Sequence, residues 1–246
     1  MTQHTAKTAL VTGASRGIGK AIALRLAADG YAIVVNYAGN HELAQETVAD
    51  ITRNGGNAVA IQGDVTEPTA VTTLFDGAYD AFGSLDVVVH SAGIMALVPI
   101  KEDSLDAFDR TIATNLRGAF LILSQAAARL QEGGRIIALS SSVIGKSFPN
   151  YGPYIASKAG VEGLVRVLAN ELRGRSITVN AVAPGPTETE LFMQGKSDEM
   201  VAQLAQAAPL ERIGQPDEIA SAVAFLAGPD GAWVNGQVLR VNGGMV

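Results

Sequence analysis

An α/β fold, a doubly wound seven-stranded parallel sheet with helices on both faces, is predicted by three features of the sequence. Short β-branched runs recur, each followed by a longer stretch of helical period, which is the pattern of repeated βαβ units. The runs are apolar almost throughout rather than alternating, as expected for strands covered on both faces. The composition, 48% hydrophobic and 17% charged, supplies a sizeable core and excludes a disordered chain.

The elements follow in order. A first strand at 8–11 runs through a glycine-bearing loop into a helix at 17–29, and Gly30 stands just past its end. A strand at 32–37 leads to a helix at 42–54 closed by Gly55 and Gly56, and a strand at 58–62 to a helix at 70–82 closed by Gly83. The fourth strand, 85–90, precedes a long helical stretch, 105–131, ended by Gly133 and Gly134. The fifth, 135–140, precedes a helix at 154–173 ended by Gly174. A sixth strand at 178–182, a helix at 217–226 and a seventh strand at 238–241 complete the set. These glycines suit left-handed helix caps, and they account for much of an unusual glycine content, 27 in 246 residues or about 11% against an average near 7%. With no linker, repeat or low-complexity tract, residues 1–246 read as one domain. The exception to the rhythm is 186–213, which lacks a strand signal and carries a short amphipathic piece at 198–207; such an insertion is expected to act as a substrate lid.

Several function classes fall away. Zero cysteine removes disulfide scaffolds, thiolate nucleophiles and Cys-based metal sites, and it suits a reducing compartment; no metal site is expected. The formal charge of −6 comes without a basic run, so nucleic acid is not an expected partner. No apolar stretch reaches the roughly 18 residues of a membrane span. The polar opening from Met1 to Thr8 lacks a signal-peptide core, so a cytoplasmic location is expected.

After the first strand the chain reads Thr12-Gly13-Ala14-Ser15-Arg16-Gly17-Ile18-Gly19, and a helix follows at once. In the first βαβ unit such glycines allow a tight turn, close backbone approach to a pyrophosphate and close helix–sheet packing, while helix-terminal N–H groups attract the anion. This places a Rossmann-type dinucleotide site. Where a cofactor lacking a 2′-phosphate would meet an acidic residue, the second strand ends in Asn36 and Tyr37. Asn36 brings no charge to repel a phosphate and Arg16 can supply a positive one, so NADP(H) is favoured over NAD. Asp64, beside Val65 after the third strand, can accept from an adenine amino group or cap the next segment.

Tyr154 and Lys158 stand four apart, hence on one helix face. A phenol near pKa 10 is a poor acid–base group at neutral pH, and an adjacent ammonium is expected to lower it. Ser141, at the end of the fifth strand, falls at the carboxyl edge of the sheet, where it can donate to a carbonyl oxygen.

Together, the glycine loop, Ser141 and the Tyr154–Lys158 pair resemble the short-chain dehydrogenase/reductase family in its compact one-domain form. The family's loop pattern falls on Thr12, Gly13, Gly17 and Gly19. Its Asn-Asn-Ala-Gly motif reads His90-Ser91-Ala92-Gly93 here, so both asparagines are replaced while Ala92 and Gly93 keep the backbone approach; His90 is expected to be a packed, hydrogen-bonded residue. The resemblance implies a catalytic set of Asn115, Ser141, Tyr154 and Lys158. It implies that Tyr154 protonates the oxygen as hydride reaches the carbonyl carbon, that Lys158 binds the nicotinamide ribose and lowers the Tyr154 pKa, that Ser141 polarises the carbonyl, and that Asn115 positions a water. It further implies that Pro184 and Gly185, then Thr187 and Thr189, hold the nicotinamide carboxamide and phosphate, and that the chain forms a homotetramer along 105–131, 154–173 and the last strand.

The general resemblance is to 3-oxoacyl-acyl-carrier-protein reductases. An acidic carrier protein needs cations beside the entrance, and the candidates, Arg129, Arg173 and Arg175, with Glu132 nearby, form a thin patch. The leading expectation is therefore an NADPH-dependent reductase of a small-molecule ketone or dehydrogenase of its alcohol, with carrier-protein reduction as the alternative. A non-catalytic NADP-sensing regulator is disfavoured because all four catalytic positions are present. Substrate choice is expected to lie in 94–99, 143–153 and 186–213.

Overall fold

The computed structural model describes residues 6–246, so Met1 to Thr5 of the polar opening lie outside the described residues. The strands are β1 (Thr8–Thr12), β2 (Ala32–Tyr37), β3 (Ala58–Gln62), β4 (Val87–His90), β5 (Arg135–Leu139), β6 (Thr178–Pro184) and β7 (Val238–Val241). Among the described residues they form one seven-stranded sheet, order β3-β2-β1-β4-β5-β6-β7, with every neighbouring pair parallel. Strand ends shift slightly from the sequence reading. β1 runs on to Thr12 because Thr12 pairs with His90 as the last rung against β4. Because β2 and β4 leave β1 on opposite sides, the direction of winding reverses between β1 and β4, and a crevice opens there at the carboxyl ends of the strands.

Side chains of a strand alternate between the faces, and two apolar layers result. Ala9 and Val11 face α1 (Gly17–Ala28), α2 (His41–Arg53) and α9 (Pro216–Ala227); Leu10 faces α3 (Pro68–Phe82), α5 (Gly118–Arg129) and α6 (Gly152–Glu171). Gly83 ends α3 in the left-handed region at φ 74°, its N–H bonded to Tyr79 O at 2.7 Å, as expected of a glycine cap.

The helix expected over 105–131 runs without interruption to Arg129 but is not α-helical throughout. It comprises α4 (Leu105–Ile112), a π-helical turn (Ala113–Arg117) and α5, after which Leu130 is extended. The widened turn brings Asn115 inward. Its Oδ1 accepts from Ile94 N–H at 2.8 Å, and its Nδ2 donates to Ile94 O at 2.8 Å and Ser157 Oγ at 3.1 Å. Gly118 then lies against β3's outgoing loop, where a Cβ would stand 2.9 Å from Val65 Cγ2. Likewise α6 starts at Gly152, earlier than the sequence reading, with Pro153 in its first turn where a missing N–H costs nothing.

The segment 186–213 leaves and returns at one place: Thr187 bridges Gly214, and Gly214 N–H bonds Pro186 O at 2.9 Å. Within it lie α7 (Glu190–Met193) and α8 (Asp198–Gln206), capped by the hydroxyls of Thr189 and Ser197. The amphipathic piece is thus helical, as its period predicts.

Candidate active site

The crevice at the carboxyl ends of the strands holds a cavity of about 470 Å³. All of the sequence-predicted site residues line it except Asn115, which is buried directly behind. At one end, Gly13 adopts φ 64° and lies so close to β4's outgoing loop that a Cβ would stand 2.9 Å from Ala92 Cα. Ser15, Gly17, Ile18 and Gly19 line the cavity beyond it. The first turn of α1 carries no acidic residue, and its N-cap Arg16 gives it no side-chain bond. Amides of that kind seek an acceptor, and an anionic ligand supplies one.

Next along the cavity is the end of β2. Asn36 is buried, and its amide donates to Ile61 O at 3.3 Å and Gly63 O at 3.0 Å, so it braces the neighbouring strand rather than offering a donor to a ligand. Its contribution is the absence of a carboxylate. Tyr37 sits beside it, its hydroxyl 2.6 Å from His41 Nδ1. Arg16 projects at the mouth, paired to Glu190 at 3.0 Å with both side chains well exposed. Exposed pairs are worth about 0–1 kcal/mol, so an incoming phosphate can take Arg16 from Glu190 at little cost. Asp64 Oδ1 accepts from Thr66 N–H and Oγ1, both at 2.9 Å, which closes the turn ahead of α3 without capping the helix, and the residue lines the cavity with Val65.

Deeper in, Ser141, Tyr154 and Lys158 converge. Ser141 follows β5, Tyr154 stands in the first turn of α6, and Lys158 stands one turn on, with Nζ 5.9 Å from the Tyr154 ring centroid. Lys158 is buried and its Nζ donates to Leu139 O at 2.8 Å. Here the expected lowering of the phenol by the ammonium is not what the geometry produces. Burial pushes Tyr154 up to about 12, opposed by the Ser141 hydroxyl beside it, and burial brings Lys158 down to about 8. Desolvation is the leading cause of both shifts. At neutral pH the phenol therefore holds its proton and stands as an acid.

Behind this group, Thr12 Oγ1 accepts from the N–H groups of Ser91 and Ala92, each at 3.1 Å, so its one hydrogen goes to His90 Nδ1 at 3.0 Å. His90 is thereby a neutral imidazole with its proton on Nε2, held at a pKa of about 3 by burial and by Lys158. It is packed and hydrogen-bonded, as expected, and pins the glycine loop to β4. A Cβ at Gly93 would meet Asn115 Oδ1 at 3.1 Å and Lys158 Nζ at 3.5 Å, so a side chain here would press on Asn115.

On the far side, Pro184, Gly185, Thr187 and Thr189 close the cavity wall. Thr187 Oγ1 bonds Gly185 O at 3.0 Å and Thr189 Oγ1 caps α7 at Phe192 N–H, 3.1 Å. Ile94, Met95, Val143, Phe148, Phe192 and Leu204 add apolar wall, with the Tyr151 ring edge-on to Tyr154 at 6.5 Å. All six of these wall residues lie in the loops singled out by sequence. Met245 also lines the cavity and was not anticipated, because nothing in the sequence beyond β7 signals a return to the site.

The cations considered for a carrier protein sit elsewhere. They flank the amino-terminal ends of β5 and β6, opposite to the cavity edge. Arg129 pairs with Asp76 at 2.6 Å, and Arg175 is bound to the carbonyls of Ala127 and Leu130. Among the described residues no group of metal-ligating side chains is present, and no helix is long and apolar enough to cross a membrane.

Comparison with known proteins agrees with this geometry. A family model described as enoyl-(acyl carrier protein) reductase matches residues 13–246. A short-chain type dehydrogenase/reductase of Picea abies is 46% identical, over 98% of this chain and 92% of its own. A chloroplastic NADPH-dependent aldehyde reductase-like protein of Arabidopsis thaliana is 44% identical, over 98% and 94%. Among solved structures, a short chain dehydrogenase from Burkholderia cenocepacia J2315 in complex with NADP is 40% identical, with a TM-score of 0.92 over 97% of each chain.

Proposed function

The chain belongs to the short-chain dehydrogenase/reductase family, oxidoreductases that interconvert carbonyl and CH–OH groups, and on that premise we propose that it is an NADPH-dependent reductase of a small-molecule ketone or aldehyde. The observation that carries the proposal is one cavity with an anion-seeking helix start and Arg16 at one end and Ser141, Tyr154 and Lys158 at the other.

The residues fit the cofactor. The uncapped first turn of α1 suits a pyrophosphate, Arg16 suits a 2′-phosphate with no carboxylate at the end of β2 to repel it, and Asp64 and Val65 border the adenine side. Pro184, Gly185, Thr187 and Thr189 border the nicotinamide side, and Lys158 serves the ribose. When bound, NADPH supplies hydride to the carbonyl carbon. Tyr154 donates its phenolic proton to the carbonyl oxygen, so hydride and proton together complete the alcohol. Ser141 polarises the same oxygen from the end of β5. Asn115 holds the Ile94 backbone beside the reacting group and positions a water behind Lys158. A phenol pushed up to about 12 holds its proton at neutral pH, which is the form that reduction uses.

The whole chain acts as one domain in this reading, with 186–213 as the lid, and assembles as a homotetramer. Absence of cysteine supports a reducing compartment such as the cytoplasm. A carrier-protein substrate is the weaker reading, since Arg129 and Arg175 are engaged at the opposite edge of the sheet.

The test is NADPH oxidation with a panel of ketones, aldehydes and acetoacetyl thioesters. Tyr154→Phe is expected to lose at least about 10²–10⁴-fold in kcat, the usual worth of a general acid, while NADPH binding followed by fluorescence is retained. Equal turnover by the variant would sink the assignment of Tyr154.

A further inference from the structure

Beyond β7 the chain turns back into the cavity. Gly243 and Gly244 take left-handed backbone, φ 64° and 87°, and lie against Ala208 and Pro209 at the closing end of the lid. Asn242 organises the turn. Its Oδ1 accepts from Gly244 N–H at 3.0 Å and Met245 N–H at 3.1 Å, while its Nδ2 donates to Ser142 Oγ at 2.9 Å and Val246 O at 3.3 Å. Ser142 in turn donates to Ala183 O at 2.8 Å. The backbone is equally close: a Cβ at Gly185 would meet Asn242 Cα at 2.8 Å, and one at Gly145 would meet Val246 Cβ at 3.1 Å. One asparagine therefore joins the end of β5, the end of β6 and the root of the lid. The product of these bonds is a Met245 only 6% exposed, set in the cavity wall.

We infer that Met245 is a specificity-determining residue, its side chain limiting the bulk of the carbonyl substituent admitted, and that Asn242 is the positioning residue that holds it there. The inference rests on the carbonyl-reductase reading. Its side of the cavity is the substrate side, since the residues flanking it in the turn, Asn242 to Gly244 and Val246, adjoin Ser142, Gly145 and the lid rather than the glycine loop. An unbranched thioether packs against varied shapes, but it still occupies volume that a larger ring would need. The bonds of Asn242 oppose its withdrawal, because leaving the N–H of Met245 and the amide of Asn242 unpaired in a partly buried site is unfavourable.

The experiment compares butanone with tetralone as substrates, reading the ratio of their kcat/KM values with NADPH for the wild type, Met245→Ala, Met245→Trp, Asn242→Ala and the double alanine variant. Met245→Ala is expected to shift the ratio roughly 10-fold or more toward tetralone, in line with the discrimination that a few methylene groups provide, and Met245→Trp to shift it the other way. Asn242→Ala should reproduce the shift of Met245→Ala, with no additional shift in the double variant. Met245→Leu, which conserves volume, should keep the wild-type ratio and NADPH affinity, which separates loss of the wall from loss of the fold. Ratios within about two-fold of wild type for both Met245→Ala and Met245→Trp would overturn the inference while leaving carbonyl reduction intact. Failure of the wild type to reduce either ketone would overturn the carbonyl-reductase reading for these substrates, and the inference with it.

Discussion

Tyr154 and Lys158 are the clearest case of side chains whose chemistry is set by burial rather than by each other. Their spacing predicts proximity, and the Lys158 ammonium stands 5.9 Å from the Tyr154 ring centroid while donating to Leu139 O. Desolvation then sends the two values apart, to about 12 and about 8. The sign of the pH dependence follows. Tyr154 keeps its proton throughout the usual range, whereas Lys158 loses its charge as pH rises through about 8. In reduction, kcat/KM is expected to fall on the alkaline side with an apparent pKa near about 8, because kcat/KM reports the free enzyme; a flat profile to roughly pH 10 would contradict this. At the mouth, Arg16 carries the choice of cofactor. A charge-assisted bond to a phosphate is worth about 1.5–3 kcal/mol, so Arg16→Ala should weaken NADPH binding roughly 10- to 150-fold and leave NADH nearly unaffected. If NADH proves the better cofactor of the wild type, the reasoning from Arg16 and Asn36 is wrong.

The π turn between α4 and α5 is the element that sequence periodicity concealed. It adds a residue to one turn of a helix that runs on, and a following glycine, Gly118, does not by itself distinguish it from plain helix, so 105–131 reads as α-helical throughout. Its consequence is local and chemical. Asn115 is fully buried and closes three hydrogen bonds, two of them to Ile94 at the edge of the cavity. Asn115→Ala leaves those partners unsatisfied, and the cost expected is about 2–3 kcal/mol. For a chain of this size that corresponds to a melting temperature lower by roughly 5–10 °C, which calorimetry on the wild type and variant measures. Turnover should fall as well, since the Ile94 backbone loses its anchor.

For the whole molecule, the doubly wound order places every βα loop that matters at one edge, and this was legible because strand–helix alternation and connection handedness leave few alternatives. The same topology separates the cavity from the arginines weighed for carrier docking, a separation no spacing argument along the chain could reveal. Large apolar side chains nevertheless remain exposed on the helices of one face, Leu105 and Phe108 on α4, Phe120 on α5 and Val167 on α6. We propose that a second copy of the chain covers them. Phe120→Glu combined with Val167→Glu should then yield a smaller species in sedimentation velocity with the monomer fold preserved by circular dichroism; an unchanged sedimentation coefficient would argue against this face.

What the sequence determined by itself is what repeats or sits next to itself along the chain. Strand and helix periods, the glycine loop, and the one-turn spacing of Tyr154 and Lys158 depend on neighbours in sequence, so they are readable without a fold. Tertiary structure alone decided the rest. The pKa values near 12 and 8, the neutral tautomer of His90, the inward turn of Asn115 and the placing of Met245 all arise where segments remote in sequence exclude water from one another. Desolvation and hydrogen-bond pairing are properties of that shared volume, and a linear sequence does not state which segments will share it.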